Sequence, residues 1–455
     1  MLLEELFSAF IDDEPLPIMA RGLLEHALFV DDVNRVFETS AVRQYTRALL
    51  FSDIISLMSV VALNQQPSLR AAYLKRKPPV SLTAVYDKLQ GISQSTNVAL
   101  LEHVVMRLND VIGELGTAVP SAVPGYEVRI LDGNALGATQ HRLEVLRGIS
   151  SGPLPGKSLV VLNPQTELAE AIIPCEDGHA QERSLFDEVL KGVQPRQVWI
   201  ADRNFCTVKL LGGIAEREAT FVIREHRRFP GNSIDDLVEV GECESGIASE
   251  QAISFRNASD EVVQARRIVI SLKKATRDKD QTLTILTNLP REAANAMQVA
   301  ELYRKRWTIE TFFATLTTVL SCEVDTLGYP KAALFAFTVA LVAANVLATI
   351  RAALRHAHGQ AAKSENISNY SLVNTIQSGS QQLVLRIAPL LIAQVHTVSG
   401  IVDLLKRCAA RVPIKSHEKA PTRKRAQEAA AKRGSPADPP HVSTARLLAA
   451  KRVTP

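Results

Sequence analysis

Tyr126-Glu-Val-Arg-Ile-Leu-Asp-Gly-Asn134 is the stretch that decides how this chain is read. From Tyr126 to Leu131 the residues alternate with period two, which specifies a strand, and the strand delivers Asp132 to its C-terminal end. Downstream, Gln197-Val-Trp-Ile200 is a short apolar strand that ends in the same way, at Asp202-Arg-Asn-Phe205. In an open α/β sheet that edge is where ligands bind. Between the two, residues 158–162 and 169–173 are strand-like on either side of Asn163-Pro164, and residues 143–146 are read as the start of another strand. Residues 183–193 and 208–217 have helical periodicity, and residues 219–223 are again strand-like.

Three or four strands followed by helix, strand, helix, strand predict a mixed α/β layer of the ribonuclease-H-like kind, an order that by itself also admits other α/β folds. Residues 1–118 read as helices, with apolar side chains at helical spacing in Ala41-Val42-Tyr45-Leu49-Leu50 and in Ile54-Ile55-Met58-Val61. Behind the basic turn Lys75-Arg-Lys77-Pro-Pro-Val-Ser81, Ser81 is placed to cap a helix carrying Val85, Leu89 and Ile92. That pattern serves either a DNA-reading helix-turn-helix or ordinary packing. Residues 230–292 are turn-rich, with strand patterns at 237–240, 262–272 and 283–286, and helices return from Ala293. The expected architecture is therefore α/β: a ribonuclease-H-like catalytic core (119–229 and 293–355, the second part holding the Glu310 helix) interrupted by a β-rich insertion (230–292). An all-helical, DNA-binding N-terminal domain (1–118) precedes it, and a helical, basic C-terminal region with a disordered tail (356–455) follows.

Of the 455 residues, 46% are hydrophobic and 22% charged, the balance of a soluble globular chain. Glu4, Glu5, Asp12 and Asp13 stand where a secretory leader would be basic and then apolar. Five scattered cysteines (Cys175, Cys206, Cys243, Cys322 and Cys408) form no CxxC pair, which fits a reducing cytoplasm and argues against structural zinc. His356-Ala-His358 reads as a helix-end feature. Residues 332–350 are almost continuously apolar, but their alanines, Thr338 and Asn345 mark a buried helix rather than a membrane span. The net charge of +4 is uneven: from Lys406 onward, thirteen Lys and Arg oppose three Asp and Glu, so the remaining chain carries −6. Such a tail suits a polyanionic partner or a solubilising disordered segment. The Arg224-Glu-His-Arg-Arg228 cluster is open to backbone binding or to a solvated loop.

In Tyr303-Arg-Lys-Arg-Trp-Thr-Ile-Glu310, helical spacing puts Tyr303, Arg306 and Glu310 on one face. A carboxylate beside an arginine and a phenol makes chemical sense if the carboxylate helps hold a cation and the arginine grips a phosphate. Asp132, Asp202 and Glu310 together supply three hard oxygen donors suited to Mg²⁺ or Mn²⁺. Two such ions can activate a water or 3′-hydroxyl and steady the leaving oxygen of a phosphodiester.

Asp132-Gly-Asn134, Ala201-Asp-Arg-Asn-Phe205 and Tyr303-x2-Arg306-x3-Glu310 resemble the three signatures of DDE transposases of the insertion sequence 4 family, over residues 40–353. The resemblance implies a metal-binding catalytic triad of Asp132, Asp202 and Glu310, with Tyr303 and Arg306 on DNA phosphates near the scissile bond. Trp307 either stacks on a displaced base or packs in the core. The family's last signature continues Glu-x6-Lys, and here that position is Thr317; Lys331 is a substitute cation from the next turn. The implied reaction is nicking at terminal inverted repeats followed by strand transfer into target DNA, by a homodimer in the bacterial cytoplasm at the nucleoid. A metal-dependent nuclease without strand transfer and an inactive DNA-binding relic are the alternatives.

Overall fold

A computed structural model describes residues 11–42, 48–275, 279–363, 366–383, 395–419 and 441–453. Helices come first: α1 (Pro15–Ala27), α2 (Val30–Ser40), α3 (Phe51–Ala62), α4 (Leu69–Arg76), α5 (Leu82–Gly91) and α6 (Gln94–Leu115). Ser81 caps α5 as its sequence position requires, accepting from the Ala84 N–H at 3.2 Å, while Val85 and Leu89 are buried. The helix expected over Ala41–Leu50 falls partly outside the described residues, and its flanks are not helical. Ala41 is extended beyond the end of α2, Leu50 precedes α3, and residues 43–47, with Tyr45 among them, lie outside the described residues.

The chain then forms β1 (Glu127–Ala135), β2 (Gly152–Leu154), β3 (Lys157–Asn163), β4 (Leu168–Cys175), α7 (Phe186–Lys191), β5 (Gln197–Ala201), α8 (Val208–Ala215) and β6 (Thr220–Arg224). Residues Glu144–Leu146, read above as strand, are a single 3₁₀ turn held by the Leu146 and Arg147 N–H groups bonding back three residues. Five strands follow, β7 (Asn232–Ser233), β8 (Val238–Cys243), β9 (Gly246–Arg256), β10 (Val262–Leu272) and β11 (Thr282–Thr287). They do not form a separate layer. β11 pairs with β6, so the insertion extends the core into one ten-stranded, mostly antiparallel sheet of order β4-β3-β1-β5-β6-β11-β10-β9-β7, with β8 also on β9. Within it, β1, β5 and β6 are parallel to one another, β3 is antiparallel to β1, and β4 is antiparallel to β3.

The remaining helices are α9 (Ala296–Arg304), α10 (Trp307–Thr318), α11 (Pro330–His358), α12 (Asn369–Leu383) and α13 (Val398–Ala409). One face of the sheet packs α7 and α8 through Trp199, Phe221, Leu131 and Phe205, and the other packs α9 and α10 through Ile130, Ile200, Tyr303 and Ile309. The tail departs from the expected disorder: residues 441–443 form β12 (His441–Ser443), parallel to β2, and α14 (Thr444–Val453) follows. Arg446 pairs with Asp177 and Lys451 with Glu144, so part of the tail's charge is met by the chain's own carboxylates. Residues 420–440 lie outside the described residues.

α11 is long and apolar enough to cross a membrane, and its apolar window is wholly buried within the protein. Pro330 fits the first turn, where its missing N–H costs nothing. The polar exception in its middle explains its docking. Asn345, fully buried, accepts from the Ala169 N–H at 2.8 Å and donates to the Ala169 carbonyl at 3.0 Å. Ala169 sits where the β3–β4 register slips, and the side chain of Asn345 stands in for a neighbouring strand. Asn345→Leu, which strands both groups, should lower stability by about 2–4 kcal/mol. Thr338→Val, whose hydroxyl bonds only its own helix at Leu334, should cost under about 1 kcal/mol. Urea midpoints of the two variants test the difference.

Candidate active site

Asp132 and Asp202 meet because of strand register. β1 and β5 run parallel and pair Ile130 with Ile200, so two residues further on the same face carries Asp132 and Asp202 side by side. Asp132 is not the last residue of its strand: β1 continues to Ala135 against β3, with Asp132 opposite Val160, whereas β5 stops at Ala201. Asp202 is freed by that stop and caps a 3₁₀ turn, its Oδ1 accepting from the Asn204 N–H at 2.7 Å. Asp132 Oδ1 accepts from the Gly133 N–H at 2.8 Å.

The third group comes from the junction of α9 and α10. One continuous helix was expected there, but the chain tightens at Lys305 and Arg306, where the N–H groups of Lys305, Arg306, Thr308 and Ile309 bond back three residues rather than four. The break keeps Tyr303, Arg306 and Glu310 together. Arg306 reaches Glu310 Oε1 at 2.5 Å and Asp132 Oδ2 at 3.6 Å, and its guanidinium lies 5.9 Å from the Tyr303 ring and 5.8 Å from the Trp307 ring. Arg306 is largely buried, and its Nε has no partner. Tyr303 is buried, which pushes its hydroxyl up to about 12, so the phenol stays protonated and can donate.

Trp307 is 62% exposed, which settles the core alternative against it. Thr317 is exposed on α10 and its hydroxyl is bonded to the Phe313 and Ala314 carbonyls of its own helix. Lys331 stands in the first turn of α11 and, among the described residues, pairs with none of the three acids. The Arg224–Arg228 cluster is divided: Arg224 pairs with Asp280 at 2.5 Å, Glu225 takes Arg267 at 2.6 Å, and Arg227 and Arg228 are exposed.

Sequence reasoning missed Glu182, which opens the turn before α7. Its carboxylate fills the space that a side chain at Gly133 would need. Burial raises its affinity for protons, Lys157 opposes that, and Asp202 adds to it. The one signal available was a glycine directly after the strand aspartate.

The donor chemistry suits a hard divalent cation. Asp132 carries the observation: burial above all, with Asp202 nearby adding to it, drives its carboxyl up to about 6, the strain a cation would remove. Among the described residues, no three His, Cys, Asp or Glu side chains are already gathered into a ligating group, and Glu310 is held by Arg306. In metal-free protein, the raised value means that folding favours the protonated acid. Asp132 therefore costs stability above pH ~6, and the cost fades as pH falls towards the ordinary aspartate value near 4. Asp132→Asn should gain on the order of 2–3 kcal/mol at pH 8 and nothing at pH ~4, measured by thermal melts in chelator.

Residues 124–345 match the family model for the transposase DDE domain. That span begins just before β1 and ends within α11, and it holds Asp132, Asp202, Arg306 and Glu310. No curated protein matches the sequence. The matched span, nearly half of the chain, is similar to the catalytic domain of transposases, enzymes that act on DNA.

Proposed function

We propose that this protein is a transposase of the insertion sequence 4 family that cuts DNA at the terminal inverted repeats of its element and joins the freed ends to target DNA. The observation that carries the proposal is the proximity of Asp132 and Asp202, each two residues beyond the Ile130–Ile200 pair of β1 and β5, with Arg306 linking Asp132 to Glu310 inside the span that matches the transposase domain. The order β4-β3-β1-β5-β6, with β3 alone antiparallel to β1 and the other strands running in its direction, supports a ribonuclease-H-like core.

Asp132, Asp202 and Glu310 would hold Mg²⁺ or Mn²⁺, two ions in all, which when bound supply Lewis acidity to the attacking and leaving oxygens. The chain's own residues do the rest. Arg306 would exchange a carboxylate for a phosphate oxygen, which its fork geometry fits equally well. Tyr303, protonated at any working pH, would donate to a second phosphate oxygen. Trp307, exposed beside Arg306, would stack on a displaced base. Double-stranded DNA is thus the partner, at element ends and at the target, and a homodimer would pair two ends in the cytoplasm at the nucleoid. Thr317 favours a second reading, a DNA-binding relic with impaired cleavage, because its hydroxyl is turned to its own helix and it carries no charge.

The test is cleavage of a labelled duplex carrying the element's own terminal repeat, with Mn²⁺ or Mg²⁺. Asp132→Ala, Asp202→Ala and Glu310→Ala should each lower cutting by roughly 10²–10³-fold or more while end binding persists. A fully active variant would remove that residue from the triad. Thr317→Lys should raise affinity for the end and steepen its salt dependence by about one unit. Binding by wild type without any metal-dependent cutting would favour the relic.

A further inference from the structure

A cavity of about 830 Å³ lies behind the Arg306 junction, among α10, α11, the 117–120 segment and the β3–β4 turn. That is the size of a small-molecule site. Its floor is apolar, made by Leu162, Phe312, Ala344 and Leu347. Thr308, Thr311 and Thr315, at i, i+3 and i+7 of α10, line one wall. The hydroxyls of Thr311 and Thr315 donate to the carbonyls of Trp307 and Thr311; that leaves the Thr311 oxygen as an acceptor, while the Thr315 oxygen already takes the Asn369 amide at 3.2 Å.

The charge is one-sided. Arg351 and Arg355 share the single carboxylate of Glu167, at 2.7 and 3.1 Å, and Lys305, Lys363 and Lys419 add three exposed ammonium groups. Five cations against one anion is a local excess, since the chain as a whole holds 52 basic and 48 acidic residues. A bare inorganic anion would lose its hydration against the apolar floor and regain only part of it. A ligand with a flat, largely apolar body and an anionic end satisfies both halves.

We propose that this cavity binds one nucleotide unit, with the base on the Leu162–Phe312–Leu347 floor against the threonine wall and the phosphate towards Lys363, Lys419 and Lys305. The unit is supplied either by a free mononucleotide or by a residue of a DNA strand. The site is separate from the acidic cluster and needs no metal. It touches Lys305, Trp307 and Thr308, on both sides of Arg306, so its occupancy is felt at the junction that carries the acid-binding arginine.

The chain has two tryptophans, and Trp307 lies exposed on the cavity rim while Trp199 is buried, so emission reports on the site. Deoxyadenosine monophosphate is titrated in chelator, beside deoxyadenosine, inorganic phosphate and a short single-stranded oligonucleotide. The expected result is saturable quenching by the mononucleotide or the oligonucleotide, roughly tenfold tighter than by either half alone. Binding by the oligonucleotide alone assigns the unit to a DNA strand; binding by the mononucleotide assigns it to the free ligand as well. The surface pair Lys363→Glu with Lys419→Glu should weaken binding roughly tenfold, and the floor-filling Ala344→Phe should do the same where it folds. No quenching by either nucleotide source, equal quenching by inorganic phosphate, or quenching untouched by the lysine pair would overturn the assignment. Because metal is absent throughout, failure of DNA cleavage has no bearing on the result.

Discussion

Two carboxylates forced side by side by a parallel strand register are the constraint around which the rest of this site is built. Register between β1 and β5 pairs Ile130 with Ile200, and two residues further along each chain it brings Asp132 and Asp202 within reach of each other's charge. Burial raises the affinity of Asp132 for protons, and the neighbouring Asp202 adds a smaller share. Arg306 relieves this only in part, because its closer contact is with Glu310 at 2.5 Å rather than with Asp132 at 3.6 Å. In the proposed function, that strain is what a cation would relieve, and Arg306 would release its carboxylates to a phosphate. Preorganised charge of this kind is the usual source of rate enhancement at phosphodiesters.

Much of this could be read from sequence because strands and helices leave different periodicities. Residues 262–272 coincide with β10, and the strand-like residues 158–162, 169–173 and 197–200 lie within β3, β4 and β5. What periodicity cannot give is what a strand pairs with. The insertion reads as a separate β-rich unit, yet β11 hydrogen-bonds to β6 and turns it into an extension of the core sheet. β9 escaped notice because Gly246-Ile-Ala-Ser-Glu-Gln-Ala-Ile-Ser-Phe-Arg256 mixes small and polar residues without clean alternation, and its order comes from β8 and β10 on either side. The tail's β12 is specified by long-range pairing with β2, which no local pattern announces.

The site shows the same division. Asp132, Asp202 and the Tyr303–Glu310 group carry local signatures, strand ends and helical spacing, and they stand out in sequence. Glu182 has none, because its place beside Gly133 is created by the fold. The break at Lys305–Arg306 is similar: nothing in the sequence there is a helix breaker, yet the chain switches to three-residue spacing and so keeps Arg306 in reach of both Asp132 and Glu310.

Glu310 is positioned from far outside the sheet. α10 carries it in its first turn, and the other end of that helix is fastened to the helical N-terminal body. The Ser321 N–H donates to the Ala62 carbonyl at 2.8 Å and the Asn64 side chain to the Val319 carbonyl at 3.0 Å, while from α12 Asn369 donates to Thr315 at 3.2 Å. Asn64 can do this because it adopts a left-handed conformation just past α3, which asparagine tolerates better than most residues. From there the chain enters α11, and Asn345 fixes that helix to the irregular register of β3 and β4, the first of which pairs Val160 with Asp132. The third carboxylate is therefore held in a closed loop of contacts from sheet to helical body and back to sheet. A rigid support on both ends is what a hydrogen-bonded arginine–glutamate pair needs if it is to meet two strand-borne aspartates within a few tenths of an ångström.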